Sequence, residues 1–270
     1  MLNLLYKTKL GRIILRPLVG KWFSSLGGFF MDSSFSKLFI KSFIKNNNID
    51  TDEYILDNIG SFNDFFTRKI KPERRPLDTV LSHLISPCDG KLTIYRITDD
   101  LVIPLKQSRF SINSLLSDET IADKYRNGYC FVFRLTVDDY HRYSYVETGN
   151  KSENIHIPGK YHTVRPIALE EYPVFIENTR EYTIIETTCG GDIAQIEVGA
   201  MLVGKIDNYE KCPAAVVRGH EKGRFLFGGS TIILLFEPNR IMPNSELIDA
   251  SRYGIETPVK LGQKIGAYNL

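Results

Sequence analysis

Between Asp32 and Lys45 the apolar positions fall at Phe35, Leu38, Phe39 and Phe43, a spacing that gathers them on one face of a helix, and Asn46-Asn47-Asn48 closes the run. The pattern predicts an amphipathic helix whose apolar face meets either the body of the protein or a membrane. A second helix is expected from Thr51, with Ile55, Leu56 and Ile59 inward. A third follows Ser61, whose hydroxyl together with Asp64 resembles a capping box. Pro72 and Pro76 then mark an extended connector. After Asp78 the period changes. Short segments rich in β-branched and aromatic residues, at 91–97, 129–135, 182–185, 193–198, 200–206, 214–217 and 230–236, alternate with Gly, Pro, Asn and Asp. Many short strands in series predict a mainly antiparallel sandwich or barrel-like sheet. The organisation expected is therefore α+β: an N-terminal helical region over residues 1–75 and a β-rich domain over residues 76–270.

Charge adds to this picture at the N-terminus. The chain of 270 residues carries a net charge of only +2, but residues 1–50 hold eight Lys/Arg against Asp32 and Asp50, a net of +6. Trp22, Phe23, Phe29, Phe30, Phe35, Phe39 and Phe43 are interleaved with those cations. Cations that meet headgroups and aromatic rings that reach the acyl boundary suit the interface of an anionic membrane better than nucleic acid. No apolar stretch approaches the roughly 18 residues of a membrane-spanning helix. Lys7, Lys9, Arg12 and Arg16 interrupt what would otherwise be the apolar block of a signal peptide. The four cysteines, Cys88, Cys130, Cys189 and Cys212, are scattered, with no C-x-x-C pair and no metal-ligand spacing, which reads as reduced thiols and no metal site. There is no P-loop and no G-x-G-x-x-G for a nucleotide.

Candidate chemistry concentrates late in the chain. Gly228-Gly229-Ser230-Thr231 stands immediately before the apolar run ending at Phe236. By itself Gly-Gly-Ser is a turn or bulge that leads into a strand. A Gly-Ser peptide held tightly by a buried strand can also be attacked by its own hydroxyl. Ser230 needs a base within hydrogen-bond reach for that, because a free serine hydroxyl is a weak nucleophile at neutral pH.

Upstream of this step stand, in order, Phe65-Phe66-Thr67-Arg68 with Lys71-Pro72 and Arg75-Pro76, then Ser86-Pro87-Cys88-Asp89-Gly90, then Asp139-Tyr140-His141-Arg142. Val198-Gly199-Ala200, Val203-Gly204, Gly219, Gly223 and Phe225 follow. Over roughly residues 60–240 this constellation resembles the phosphatidylserine decarboxylase proenzymes. The resemblance implies self-cleavage between Gly229 and Ser230, with Ser230 converted into a covalent pyruvoyl cofactor. That group condenses with the substrate amine and withdraws electrons as CO₂ leaves, turning phosphatidylserine into phosphatidylethanolamine in phospholipid biosynthesis.

The site residues that the resemblance implies are Asp89, His141 and Ser230, with the cleavage bond at Gly229 and Ser230. On the residues alone Asp89-Gly90 is a hairpin turn signal and His141 a histidine in a polar turn. The resemblance makes Asp89 the carboxylate that orients the His141 imidazole beside Ser230. Members of the family often carry a second histidine three residues after the first. Here that position is Ser144, so base and acid duties fall on His141 or pass to another group, with His162 and His220 as spare candidates. The partners implied are phosphatidylserine, an anionic membrane surface and the chain's own two fragments, with a homodimer as a further expectation and no nucleic acid. The location expected is peripheral, on the cytoplasmic side of the cell membrane. Three other readings fit parts of the sequence: a pyruvoyl enzyme for a soluble amino acid, a Ser-His-Asp hydrolase acting on external esters, and a small non-enzymatic β module with a membrane-binding arm.

Overall fold

The computed structural model describes residues 2–105, 108–200, 205–228 and 230–269. Three helices open it: α1 (Leu2–Lys7), α2 (Lys9–Leu18) and α3 (Lys21–Asp32). Thr8 caps α2 by accepting a hydrogen bond from the Gly11 amide at 2.9 Å. The amphipathic segment predicted from Asp32 divides into a 3₁₀ stretch, Ser34–Phe39, and a helix, α4 (Ile40–Asn46). Ser36 explains the tight start. Its hydroxyl donates to the Met31 and Ser33 carbonyls and accepts from the Phe62 amide at 2.8 Å, so side-chain bonds compete there with regular helical ones.

The helix expected from Thr51 is not formed. A single 3₁₀ turn, Thr51–Glu53, passes into Tyr54–Ile55, which pairs with Lys69–Ile70. Tertiary contact overrides the local pattern here, because the Arg68 guanidinium lies 4.0 Å over the Tyr54 ring and holds that residue extended. The third predicted helix is present as α5 (Phe62–Phe66), with the Ser61 hydroxyl accepting from the Asp64 amide at 3.1 Å. Asp64 reaches back to the Gly60 amide at 3.0 Å, one residue earlier than in a standard capping box.

The β region is built on strands β1 (Gly90–Arg96), β2 (Tyr129–Leu135), β3 (Arg142–Ser144), β4 (Gly149–Lys151), β5 (Arg180–Thr187), β6 (Asp192–Val198), β7 (Ile206–Asn208), β8 (Ala214–Val216), β9 (Glu221–Phe225), β10 (Ser230–Phe236) and β11 (Thr257–Val259). The main sheet runs β8-β4-β5-β6-β10-β2-β1-β11, with Ile155–Ile157 paired to β5. Its ladders are antiparallel. The sheet stays open, with β8 and β11 at its ends, so the barrel part of the expectation is corrected to an open sheet with covered faces. Sheet closure would require those ends to pair, and each is instead a three-residue strand bonded on one side only.

β10 is buried along its whole length, between β6 and β2. Its even-numbered residues Ile232, Leu234 and Phe236 join a core with Tyr143 and Phe225, from the small sheet β7-β9-β3, and with Leu84, Ile241 and Ile265. Its odd-numbered residues Ile233 and Leu235 face a second core, made with the short helical segment around Ile112, Leu115 and Ala122. A third core joins Leu5, Tyr6, Leu15 and Val19 of the N-terminal helices to Val164, Ala168 and Val174. Each apolar side chain so buried contributes roughly 1.5–3 kcal/mol. The two-sided burial of β10 is what fixes Ser230 at a defined place on the strand. Segment 200–206, predicted as a strand, lies partly outside the described residues and shows β7 at its end.

Candidate active site

Ser230 is the first residue of β10, paired with Leu135 of β2, and only 1% exposed. Its hydroxyl has no hydrogen-bond partner among the described residues. A buried hydroxyl left without a partner costs about 1–3 kcal/mol, and such groups persist mainly where chemistry uses them. Gly229, the residue on the other side of the proposed scissile bond, lies outside the described residues. Gly228 has φ +140°, a conformation that side-chain-bearing residues rarely adopt, so the backbone enters this step by a route reserved for glycine.

Helix α5 clamps the approach to that step. Asn63 accepts the Phe227 amide at 2.9 Å and donates to Asp32 of α3 at 2.7 Å. The Phe227 ring sits edge-on to Phe62 and Phe66 at 4.8 and 5.1 Å. Phe66 also packs on the His141 imidazole, with ring centroids 4.1 Å apart, and the His141 carbonyl accepts the Phe225 amide at 2.9 Å. Helix α5, through Phe62, Asn63 and Phe66, thus joins the histidine and the 225–228 segment into one unit.

His141 is fully buried, and its Nδ1 stands 2.9 Å from the Asp139 carbonyl. A carbonyl only accepts, so Nδ1 carries the proton, and Nε2 keeps a bare lone pair with no partner among the described residues. Asp139 pins the turn that delivers the ring, accepting from the Thr136 amide and hydroxyl at 2.7 and 2.9 Å. Burial pushes the His141 pKa down to about 3, against the smaller upward pull of the Asp139 and Gly228 backbone groups, with Arg68 adding to the downward shift. The imidazole is therefore neutral at pH 7, the form that can take a proton. Ser230 and His141 share no hydrogen bond here, and the role of the pair in cleavage requires a closer approach than this geometry shows.

Asp89 is placed differently from the expectation. Its carboxylate accepts from Arg75 Nε and Nη2 at 2.9 and 2.7 Å, from Lys260 at 3.2 Å and from the Leu261 amide at 2.8 Å. Direct orientation of His141 by Asp89 is not the geometry found. Two cations and an amide saturate the acid, while the Asp139 carbonyl already holds Nδ1. Asp89 is connected to the site only through its turn among the described residues. Pro87, two residues earlier, accepts the Ser144 amide at 2.8 Å, which ties the turn to β3 just past His141.

Ser144 is 2% exposed, and its hydroxyl donates to the Pro87 carbonyl at 3.4 Å and shares no hydrogen bond with Ser230. Neither spare histidine substitutes for it. His162 stacks on Tyr172 at 4.5 Å within the N-terminal core, and His220 is exposed. Sequence reasoning missed the roles of Asn63 and the Asp139 carbonyl, for which no local pattern exists, and that of Arg75. It also missed the fully buried pair of Lys222 and Glu197 at 2.6 Å, which with Asn208 and Tyr143 braces the sheet carrying β3. Arg75 did carry a signal, since Arg75-Pro76 was part of the ordered constellation.

Acid stability follows from the two buried imidazoles. In the unfolded chain both titrate near 6.5, whereas in the fold burial holds His141 at about 3 and His162 at about 4. Between those values the unfolded state binds more protons, so stability falls as pH drops from about 6.5 toward 4. Thermal midpoints measured across that window are expected to decline, and less steeply in His162→Gln. An identical slope in that variant would show that His162 is not held neutral.

Sequence comparison adds a separate observation. The sequence profile of phosphatidylserine decarboxylase matches residues 62–267. The chain is 44% identical over 269 residues to phosphatidylserine decarboxylase proenzyme 2 of Clostridium acetobutylicum, covering 99% of this chain and 92% of that protein. It is 40% identical to the phosphatidylserine decarboxylase proenzyme of Clostridium tetani, covering 98% and 91%, and 41% identical to that of Clostridium botulinum, covering 98% and 92%.

Proposed function

This chain belongs to the phosphatidylserine decarboxylase family of decarboxylases, and on that premise we propose that it cleaves itself between Gly229 and Ser230 and then decarboxylates phosphatidylserine at a membrane surface. The observation that carries the reading is the pair of unpartnered buried atoms, Ser230 Oγ and His141 Nε2, with the His141 carbonyl bonded to the Phe225 amide of the segment that leads into Ser230.

In the first stage Nε2 takes the Ser230 proton and Oγ adds to the Gly229 carbonyl, so that the amide becomes an ester. Loss of the Cα proton then expels the Gly229 carboxylate and leaves dehydroalanine at 230, and water releases ammonia to give the terminal ketone. The buried hydroxyl at the head of a rigid strand fits that product, because the new chain end would be held by the same β6 and β2 ladders. Bound there, the pyruvoyl carbonyl supplies the electron sink for loss of the substrate carboxylate. His141, neutral and with Nε2 unpartnered, is then the group assigned to move a proton at the substrate carbon, and Phe66 and Phe227 shield that step from water. A hydrolase reading has less support, since the serine stands in Gly-Gly-Ser-Thr and not in the G-x-S-x-G elbow of such enzymes. The purified protein is expected to release CO₂ from phosphatidylserine in mixed micelles and to lose that activity with hydroxylamine. A self-cleaved protein that releases none would overturn the reading.

The proposal places the enzyme on the cytoplasmic side of the cell membrane as a peripheral protein. Trp22, Phe29, Phe35 and Leu38 are 75–80% exposed, and Leu10 and Ile13 are over 60% exposed. Lys7, Lys9, Arg12, Arg16 and Lys21 accompany them. No described helix is long and apolar enough to cross a membrane. Apolar tips with interspersed cations support binding in the plane of an anionic bilayer, and they favour a lipid substrate over a soluble amino acid. Flotation with phosphatidylglycerol-containing liposomes is expected for the wild type and is expected to fall severalfold in W22S/F29S/L38S. Undiminished flotation of that variant would exclude these helices as the membrane contact.

A further inference from the structure

A cavity of about 1120 Å³ lies between the N-terminal helices and the β1/β2 end of the main sheet, and Phe227 and Gly228 form part of its wall. Leu2, Leu5, Leu18 and Phe23 line its apolar side. Its charged lining is Lys91, Arg134, Arg165 and a single carboxylate, Asp138. In the ladders Lys91 stands directly opposite Arg134, and Arg134 directly opposite Thr231. Opposed residues of an antiparallel pair share a face, so two cations sit side by side next to the residue that follows Ser230. Like charges so placed repel. Glu256 relieves only one of them, accepting from Arg134 Nε at 2.8 Å and from Nη2. Among the described residues neither the Lys91 ammonium nor the Arg165 guanidinium has an ion-pair partner. The Thr231 hydroxyl at the end of the row is buried and also unpartnered.

Resting on the decarboxylase reading above, we propose that this cavity holds a glycerophospholipid: Lys91 and Arg165, with Arg134 behind them, clamp the phosphodiester, while the acyl chains run along Leu2, Leu5, Leu18 and Phe23. The charge balance fits the phosphodiester, whose anion would meet Lys91 and Arg165, the two cations of the lining that lack an ion-pair partner among the described residues. Lys91 and Arg165 would engage a phosphate carried on a lipid, a group that free serine lacks.

The test uses the self-cleaved enzyme in phosphatidylserine mixed micelles. K91Q and R165Q are each expected to raise KM about tenfold, as loss of one charge-assisted contact would, with a smaller change in kcat, while K91R and R165K restore most of the loss. Intact mass is expected to show complete self-cleavage in all four variants, which separates substrate binding from maturation. Glycerophosphoserine, which keeps the phosphate and lacks the chains, is the companion competitor, and its inhibition constant is expected to rise in K91Q/R165Q by the same factor as KM. An unchanged KM in K91Q/R165Q, in an enzyme still active on phosphatidylserine, overturns the clamp and leaves the decarboxylase reading intact. So does competition by inorganic phosphate as strong as that by glycerophosphoserine. A self-cleaved wild type inactive on phosphatidylserine overturns both.

Discussion

Ser230→Ala is expected to leave the protein as a single chain of 30.8 kDa with no decarboxylase activity, whereas the wild type is expected to mature into a larger fragment ending at Gly229 and a smaller one of 41 residues. In the proposed chemistry the effect is all or none, because the side-chain oxygen is the attacking atom and then departs with the Gly229 carboxylate to leave dehydroalanine, and alanine has no atom that can do either. The fold is expected to tolerate the change. The Ser230 hydroxyl makes no hydrogen bond among the described residues, so its removal breaks nothing and relieves a buried polar group. Intact-mass measurement and circular dichroism of the same sample separate lost chemistry from lost structure. A folded S230A protein that still divides at this bond would show that another group attacks it.

The largest structural effect is expected at Arg75. Its guanidinium is 5% exposed and its partner Asp89 1% exposed, so Arg75→Ala strands a buried carboxylate with only Lys260 and the Leu261 amide to hold it. Removing one member of a buried pair costs about 3–5 kcal/mol, against a total stability on the order of 5–15 kcal/mol. For a chain of this size that lowers the thermal midpoint by on the order of 10 °C. Maturation is expected to slow as well, because the 86–89 turn is bonded to β3 through the Pro87 carbonyl and β3 follows His141. The double variant R75A/D89N, which removes the stranded charge, is expected to recover part of the loss. A midpoint for R75A within about 2 °C of wild type would show that the pair contributes little and that Asp89 acts by some other route.

Much of the architecture was legible in local chemistry. The alternation over 91–97 and 129–135, the apolar run of 230–236 and the Ser61 cap each correspond to an element in the fold, because period and capping depend on residues a few positions apart. The helix expected from Thr51 failed for the opposite reason. Its apolar spacing was outweighed by the Arg68 guanidinium on Tyr54, a contact that no window around Thr51 contains.

The candidate site divides in the same way. The sequence by itself determined which atoms are competent: a serine after two glycines at the head of a buried strand, one histidine in an Asp-Tyr-His-Arg setting, and a carboxylate in a turn. Tertiary structure alone decided their partners. It gave Asp89 to Arg75 and the histidine Nδ1 to a backbone carbonyl, and it set Asn63 against the segment that precedes the proposed cleavage bond. Reactive type is a property of a side chain and its near neighbours. Pairing depends on which groups the packed chain brings within about 3 Å, where a buried charge takes the strongest partner within reach and not the one that a motif assigns to it.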